Sequence, residues 1–198
     1  MRADFPQTTA VADTLRLSLP RLTIRIVGPA DAGLLQGHVR GLARASRQNR
    51  FLGGINELTA AELERITHHG AGNIFGLLAE TTVLGETAVV GEAIYAVHAA
   101  AGTVEFALSV ADAWHGRGIG QALIASIELR AARVGSLMLV GEVLRSNDAM
   151  LGLAAKTGFV SRRHPDEARL LRLEKVVGAF QGRAPSGWLD GMFRSVAA

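Results

Sequence analysis

Apolar and polar residues alternate in the run LTIRIV at 22–27, the period-two pattern of a strand with one buried face, and the pair Gly28-Pro29 ends it. From Asp31 the spacing changes to threes and fours. Leu34, Leu35, Val39, Leu42 and Ala43 fall on one helical face, with the Asp31 carboxylate in the first turn, where the helix dipole favours it. A second short helix is predicted over 58–66, with Thr59 and Glu62 at capping-box spacing. Three strand-like runs follow at 74–80, 88–97 and 103–110, and their short links suit antiparallel neighbours. Helical spacing then returns, with Ile119, Leu123, Ile127, Ala131 and Val134 on one face and Gly135 at the end. The continuous apolar run at 136–144 reads as a strand buried on both faces. Residues 147–158 form a helix between an N-cap, Asn147, and a closing Gly158. FVSRR at 159–163 and ARLLRL at 168–173 are predicted to be the last two strands.

With 198 residues the chain suffices for one ordinary domain, placed at 21–173. Residues 1–20 are expected to form an N-terminal arm. The tail, 174–198, carries Val176, Val177, Phe180, Trp188, Leu189, Met192 and Phe193, which either pack on the domain or form a partner surface, and a homodimer is among the expected partners. No apolar run approaches the roughly 18 residues of a membrane span, and the first residues lack the pattern of a secretory signal, so a cytoplasmic protein without membrane contact is expected. The absence of cysteine excludes a disulfide framework, a thiolate metal site and a cysteine nucleophile. His68-His69 lacks the spacing of a ligand pair, and no metal is expected. A net charge of +3 with scattered basic residues does not indicate nucleic-acid binding.

One stretch carries chemistry. WHGRGIGQAL, 114–123, follows a predicted strand and opens a helix, an arrangement in which unpaired backbone amides converge at the positive end of a helix dipole and bind anions. A Walker A loop would end in Gly-Lys-Ser/Thr, and this one ends Gly120-Gln121-Ala122. A dinucleotide fingerprint would have a third glycine where Gln121 stands, and would lie near the first strand. As His115-Gly116-Arg117-Gly118-Ile119-Gly120, the segment resembles the Q/R-x-x-G-x-G/A signature of the GNAT superfamily of acyl-CoA-dependent N-acyltransferases, with His115 departing from the usual first residue. Downstream, NDAMLGLAAKTGF is similar to the superfamily's second segment, closing on Lys156-Thr157-Gly158-Phe159. Taken together, residues 22–173 look most like the acetyltransferase domain of bacterial Pat-type protein lysine acetyltransferases. The resemblance implies an α/β fold whose mixed, largely antiparallel sheet is splayed between its fourth and fifth strands and flanked by helices. It implies acetyl-CoA as cosubstrate, with backbone groups of Leu108, Ser109 and Val110 pairing with the pantetheine arm as a strand would and Asn147 binding it from the other side of the splay. The pyrophosphate would lie on the amides of His115, Gly116, Arg117, Gly118, Ile119, Gly120 and Gln121.

An amine acceptor arrives protonated: with a pKa near 10.4, roughly one lysine in a few thousand is free base at pH 7, a handicap of about 4–5 kcal/mol. A base is therefore required. Glu105 is the candidate, three residues before the arm-pairing segment and, by strand alternation, on the face of Ala107 and Ser109. Taken alone it reads as a surface glutamate; the resemblance to family members with a glutamate in a similar strand setting supports the catalytic role. Glu92, on the neighbouring strand, is the alternative, acting through a water. Where many family members place a tyrosine to protonate the leaving thiol, this chain has Ala154, so the thiol is expected to take its proton from solvent. Tyr95, on another strand, is assigned to the core or a substrate wall, and Ser109 to a hydrogen bond with cofactor or substrate and not to nucleophilic attack. The expected reaction is direct acetyl transfer from acetyl-CoA to an amine, with a protein lysine favoured. A polyamine or aminoglycoside-like acceptor is the alternative, and a non-catalytic acyl-CoA sensor the third reading.

Overall fold

The computed structural model describes residues 22–68 and 73–177; the expected N-terminal arm, His69 and the tail beyond Val177 lie outside them. In chain order the elements are β1 (Thr23–Ile26), α1 (Ala32–Gly41), α2 (Arg44–Phe51), α3 (Ala60–Thr67), β2 (Ile74–Val83), β3 (Glu86–His98), β4 (Thr103–Val110), α4 (Ile119–Arg133), β5 (Met138–Leu144), α5 (Asp148–Lys156), β6 (Val160–Arg163) and β7 (Leu170–Val176). The strands form one sheet in the order β1-β2-β3-β4-β5-β7-β6. Every neighbouring pair is antiparallel except β4 and β5, giving the mixed, largely antiparallel sheet that the resemblance implies.

Periodicity explains most of this. In α4, Ile119, Leu123, Ile127 and Ala131 are buried against the sheet, joined by Val104, Phe106 and Leu139. The opposite face packs on α1 and α3 through Leu35, Val39, Leu58 and Ile66, with Val27 and Leu78 from the strands. Thr59 caps α3 as expected: its hydroxyl accepts from the Glu62 amide, and the Glu62 carboxylate accepts from the Thr59 amide. No helix among the described residues is long and apolar enough to cross a membrane.

The structure corrects two boundaries. The first helix stops at Gly41, short of Leu42 and Ala43; Leu42 is buried in extended conformation (φ −66°, ψ 143°) and continues the apolar spacing without continuing the helix. A separate helix, α2, then begins, unpredicted because its sequence RASRQNRF has no apolar stripe and none of its residues is buried as a whole. At the other end, Leu173 lies inside β7, which pairs along all of β5 from Met138↔Val176 to Leu144↔Leu170.

One break in the sheet sets up the site. β4 and β5 pair only from Thr103↔Met138 to Glu105↔Val140 and then separate. Phe106 fills the fork. Its ring packs at 5.4 Å from Phe159, and a Cβ on Gly141 would come within 3.1 Å of it.

Candidate active site

The separation of β4 from β5 opens a cleft of about 500 Å³. One side is β4 from Phe106 to Val110, the other Gly141 to Val143 of β5, and the N-terminal parts of α4 and α5 close the end. Of the sequence-predicted residues, Leu108, Ser109, Val110, His115, Gly116, Gly118, Ile119, Gly120, Gln121 and Asn147 line this cleft. Arg117 is not among the lining residues and stacks over the Trp114 ring at 4.7 Å.

Strand alternation decides which backbone groups reach the gap. The Ala111 amide donates to the Val90 carbonyl, so the polar groups of odd-numbered β4 residues turn toward β3 and those of Leu108 and Val110 turn toward the cleft. The Ser109 carbonyl accordingly lies against Gly91 of β3. Ser109 thus faces β3 through its backbone, a correction to the expectation that all three residues present backbone to the arm. The Val110 carbonyl is paired with His115 Nε2 at 2.9 Å, which ties the start of the glycine turn to the strand. Leu108 keeps both groups free for a strand-like partner.

The glycine turn has the conformation that an amide cradle needs. Gly116 (φ 72°) and Gly118 (φ 82°) both occupy the left-handed region, and Gly118 is the N-cap of the 15-residue α4. A Cβ at Gly116 would meet nothing within 4 Å, so the requirement for glycine there is conformational. Across the cleft, Asn147 caps α5, its side-chain oxygen accepting from the Met150 amide at 3.1 Å. A strand edge with free backbone groups, an amide cradle at a helix N-terminus and an open gap between them fit an elongated pantetheine and its pyrophosphate.

The second face of the sheet carries the titratable groups. Ser109 on β4 lies opposite Glu92 on β3 and donates to Glu92 Oε1 at 2.8 Å. Because its single proton goes there, its oxygen accepts from Nε2 of His38 on α1 at 3.0 Å, so the hydroxyl is engaged within the protein and not, as expected, with cofactor or substrate. Arg50 of α2 clasps Glu92 with Nε to Oε1 at 2.6 Å and Nη2 to Oε2 at 3.2 Å. Burial would push the Glu92 carboxyl up, but the Arg50 charge and the hydrogen bonds from Arg50 and Ser109 outweigh it and hold it below the ordinary value. Burial pushes His38 down, so the imidazole is held neutral. With both carboxylate oxygens occupied and its side chain 1% exposed, Glu92 is a poor proton acceptor.

Glu105 is different. It lies on the face of Ala107 and Ser109 at the last paired position before the fork, with its side chain 59% exposed and His98 Nε2 at 3.4 Å. It stands beside the cleft and is not among its lining residues. Sequence reading missed two acids that are, Glu142 and Asp148. Glu142 of β5 lines the cleft, and His164 Nε2 donates to it at 3.0 Å, while His164 Nδ1 accepts from the amides of Asp166 and Glu167, which fixes the tautomer. The signal was present: Glu142 is the single charge in the apolar run at 136–144. Tyr95 is buried and stacks on Phe75 at 5.2 Å, with burial pushing its hydroxyl up to about 12; it is a core residue. Ala154 is fully buried. Among the described residues no cluster of His, Asp and Glu is placed to hold a metal ion.

Known proteins show the same architecture. The model of the Acetyltransferase (GNAT) family matches residues 38–159. Acetyltransferase PA5475 of Pseudomonas aeruginosa is 30% identical over 130 residues, 66% of this chain and 70% of that protein. The GNAT domain of S. lividans PAT superposes with a TM-score of 0.73 at 26% identity, covering 87% of this chain and 99% of that one. Spermidine N-acetyltransferase from Vibrio cholerae, solved with CoA and spermine, shares the fold at 17% identity, with a TM-score of 0.64 over 79% of this chain and 95% of that one. With its splayed sheet, glycine turn and matched family region, this chain belongs to the GNAT family of acetyltransferases and is an acetyl-CoA-dependent N-acyltransferase.

Proposed function

We propose that this protein acetylates the ε-amine of a protein lysine in the cytoplasm, with Glu105 as the base that removes the amine proton. When bound, acetyl-CoA supplies an activated acetyl thioester whose thiolate is a competent leaving group. Residues 115–121 and the free backbone of Leu108 would hold its pyrophosphate and arm, with Asn147 opposite. Glu105 would take a proton from the incoming ammonium on the other face of the sheet and release it to water. The observation that carries this assignment is the contrast between the two carboxylates of that face: Glu92 is sealed under Arg50 and Ser109, whereas Glu105 is open to solvent at the fork. Ala154 offers no proton to a leaving thiol, which would be protonated by solvent.

A second reading of the base rests on Glu142, which lines the cleft directly and is oriented by His164. Glu142→Gln separates the two: as a neighbour of the site it would lower turnover only modestly, whereas as the base it would lower kcat by about 10²-fold or more while Glu105→Gln left turnover nearly unchanged.

The acceptor class is tested by incubating the protein with labelled acetyl-CoA, whole-cell protein and a panel of polyamines and aminoglycosides. Label on protein lysines is the expected result. Label confined to small amines would replace the lysine reading with the small-molecule one, and binding of acetyl-CoA without any labelled product would favour the sensor reading.

A further inference from the structure

We propose that Arg50 determines acceptor specificity, selecting amines that carry a carboxylate within reach of the reacting nitrogen; this rests on the chain acetylating an amine. The Arg50 and Glu92 side chains are 7% and 1% exposed. An ion pair so buried gives little net stability, because its attraction is largely spent on removing two charges from water, and an apolar pair of similar volume would serve the fold as well. What the pair does supply is a guanidinium held in one orientation.

That orientation leaves one edge for a ligand. Nε and Nη2 are committed to Glu92, and the Phe51 ring lies 4.9 Å from the guanidinium carbon. Nη1 has no hydrogen-bond partner among the described residues. Every buried side-chain nitrogen and oxygen among them has a partner, so Nη1 is solvent-accessible, and Arg50 is one of the residues that line the cleft. The other two lining residues of α2, Ser46 and Asn49, carry no charge, and the Ser46 hydroxyl is already donated to Asp112. Glu142 of β5 and Asp148 of α5 line the cleft, Glu105 stands outside its lining beside the fork, and the other lining cation, Lys156, is at the C-terminal end of α5.

The site is therefore polarised about the fork, with Glu105 and Glu142 near it and a guanidinium held in one orientation on the α2 wall. A purely cationic acceptor would leave Nη1 without an anion. An acceptor with an ammonium at one end and a carboxylate at the other matches both. The carboxylate can be the acceptor's own or that of an acidic residue beside a lysine.

Two matched pairs distinguish these sources: Nα-acetyl-lysine against its carboxamide, and a lysine peptide with a neighbouring aspartate against the same peptide with asparagine. Each is measured as kcat/KM and as equilibrium binding to the CoA-saturated protein. The carboxylate member of at least one pair is expected to be favoured on the order of tenfold or more, the scale of a charge-assisted hydrogen bond. In Arg50→Gln/Glu92→Gln that ratio falls to about one; Arg50→Met/Glu92→Met serves the same purpose if the first fails to fold. Arg50→Lys, which keeps the charge and loses the fork, is expected to retain part of the preference. Ratios near one for both pairs in the unmodified protein, or a preference that survives in the double variants, overturn the proposal. A binding preference without turnover supports Arg50's role and counts against acetyl transfer, so the two failures are distinguishable.

Discussion

His38, Ser109, Glu92 and Arg50 form a buried chain of polar contacts across α1, β4, β3 and α2, and its two titrating members respond to pH in the same direction. Burial lowers His38 from its ordinary value, so in acid the unfolded chain takes up the proton first and the folded state loses ground. His38 stabilisation is thus complete above about pH 6.5 and declines as the pH falls from there toward the lowered folded value. Glu92, also lowered, adds a second loss that begins near the ordinary glutamate range. The melting temperature is expected to fall between pH 6.5 and 5, and His38→Gln, which can keep a donor to Ser109, should flatten that limb. An unchanged slope in the variant would remove His38 from the account. None of this network was legible in the sequence. Arg50 and Glu92 are 42 positions apart and His38 and Ser109 are 71 apart, and no local pattern announces a pairing that only the folded sheet creates.

Helix α2 shows how an element can form without an apolar face. Its first turn is capped by Asp112 from the loop after β4: one carboxylate oxygen accepts from the Ala43 amide at 2.8 Å, the other from the Ser46 hydroxyl at 2.6 Å. Its last turn is held by the Arg50 and Glu92 pair. Asp112→Ala should cost about 1 kcal/mol and accelerate hydrogen exchange in α2 while leaving α4 protected; equal protection of α2 would contradict the capping role. The glycine turn offers a cleaner case. Gly116→Ala adds a methyl group to open space at φ 72°, so the expected cost of about 1–2 kcal/mol is conformational, and it should come with weakened acetyl-CoA binding. A variant with full stability and affinity would mean that the turn does not depend on that conformation. Strong punctuation made α4, α5 and the hairpin strands legible. Polar α2 lacked any, and Leu42 carried the apolar spacing of the preceding helix past its true end.

At the scale of the molecule, the sheet assigns different tasks to its two sides. The splay, filled at its fork by Phe106, opens a cleft between a strand edge and a glycine turn, while acids and Arg50 gather on the face covered by α1 and α2. The glycine turn was readable because backbone amides at a helix start need a compact local motif. The polar groups of the other face were not, since they come from α1, α2, β3, β4 and β5 and meet only through the tertiary fold. The central claim is that Glu105, beside the fork, provides the base while the cleft holds the cofactor. It is tested most directly by measuring acetyl transfer and acetyl-CoA affinity together in Glu105→Gln. A fall in kcat of about 10²-fold or more with unchanged affinity is predicted; turnover equal to that of the unmodified protein would contradict it.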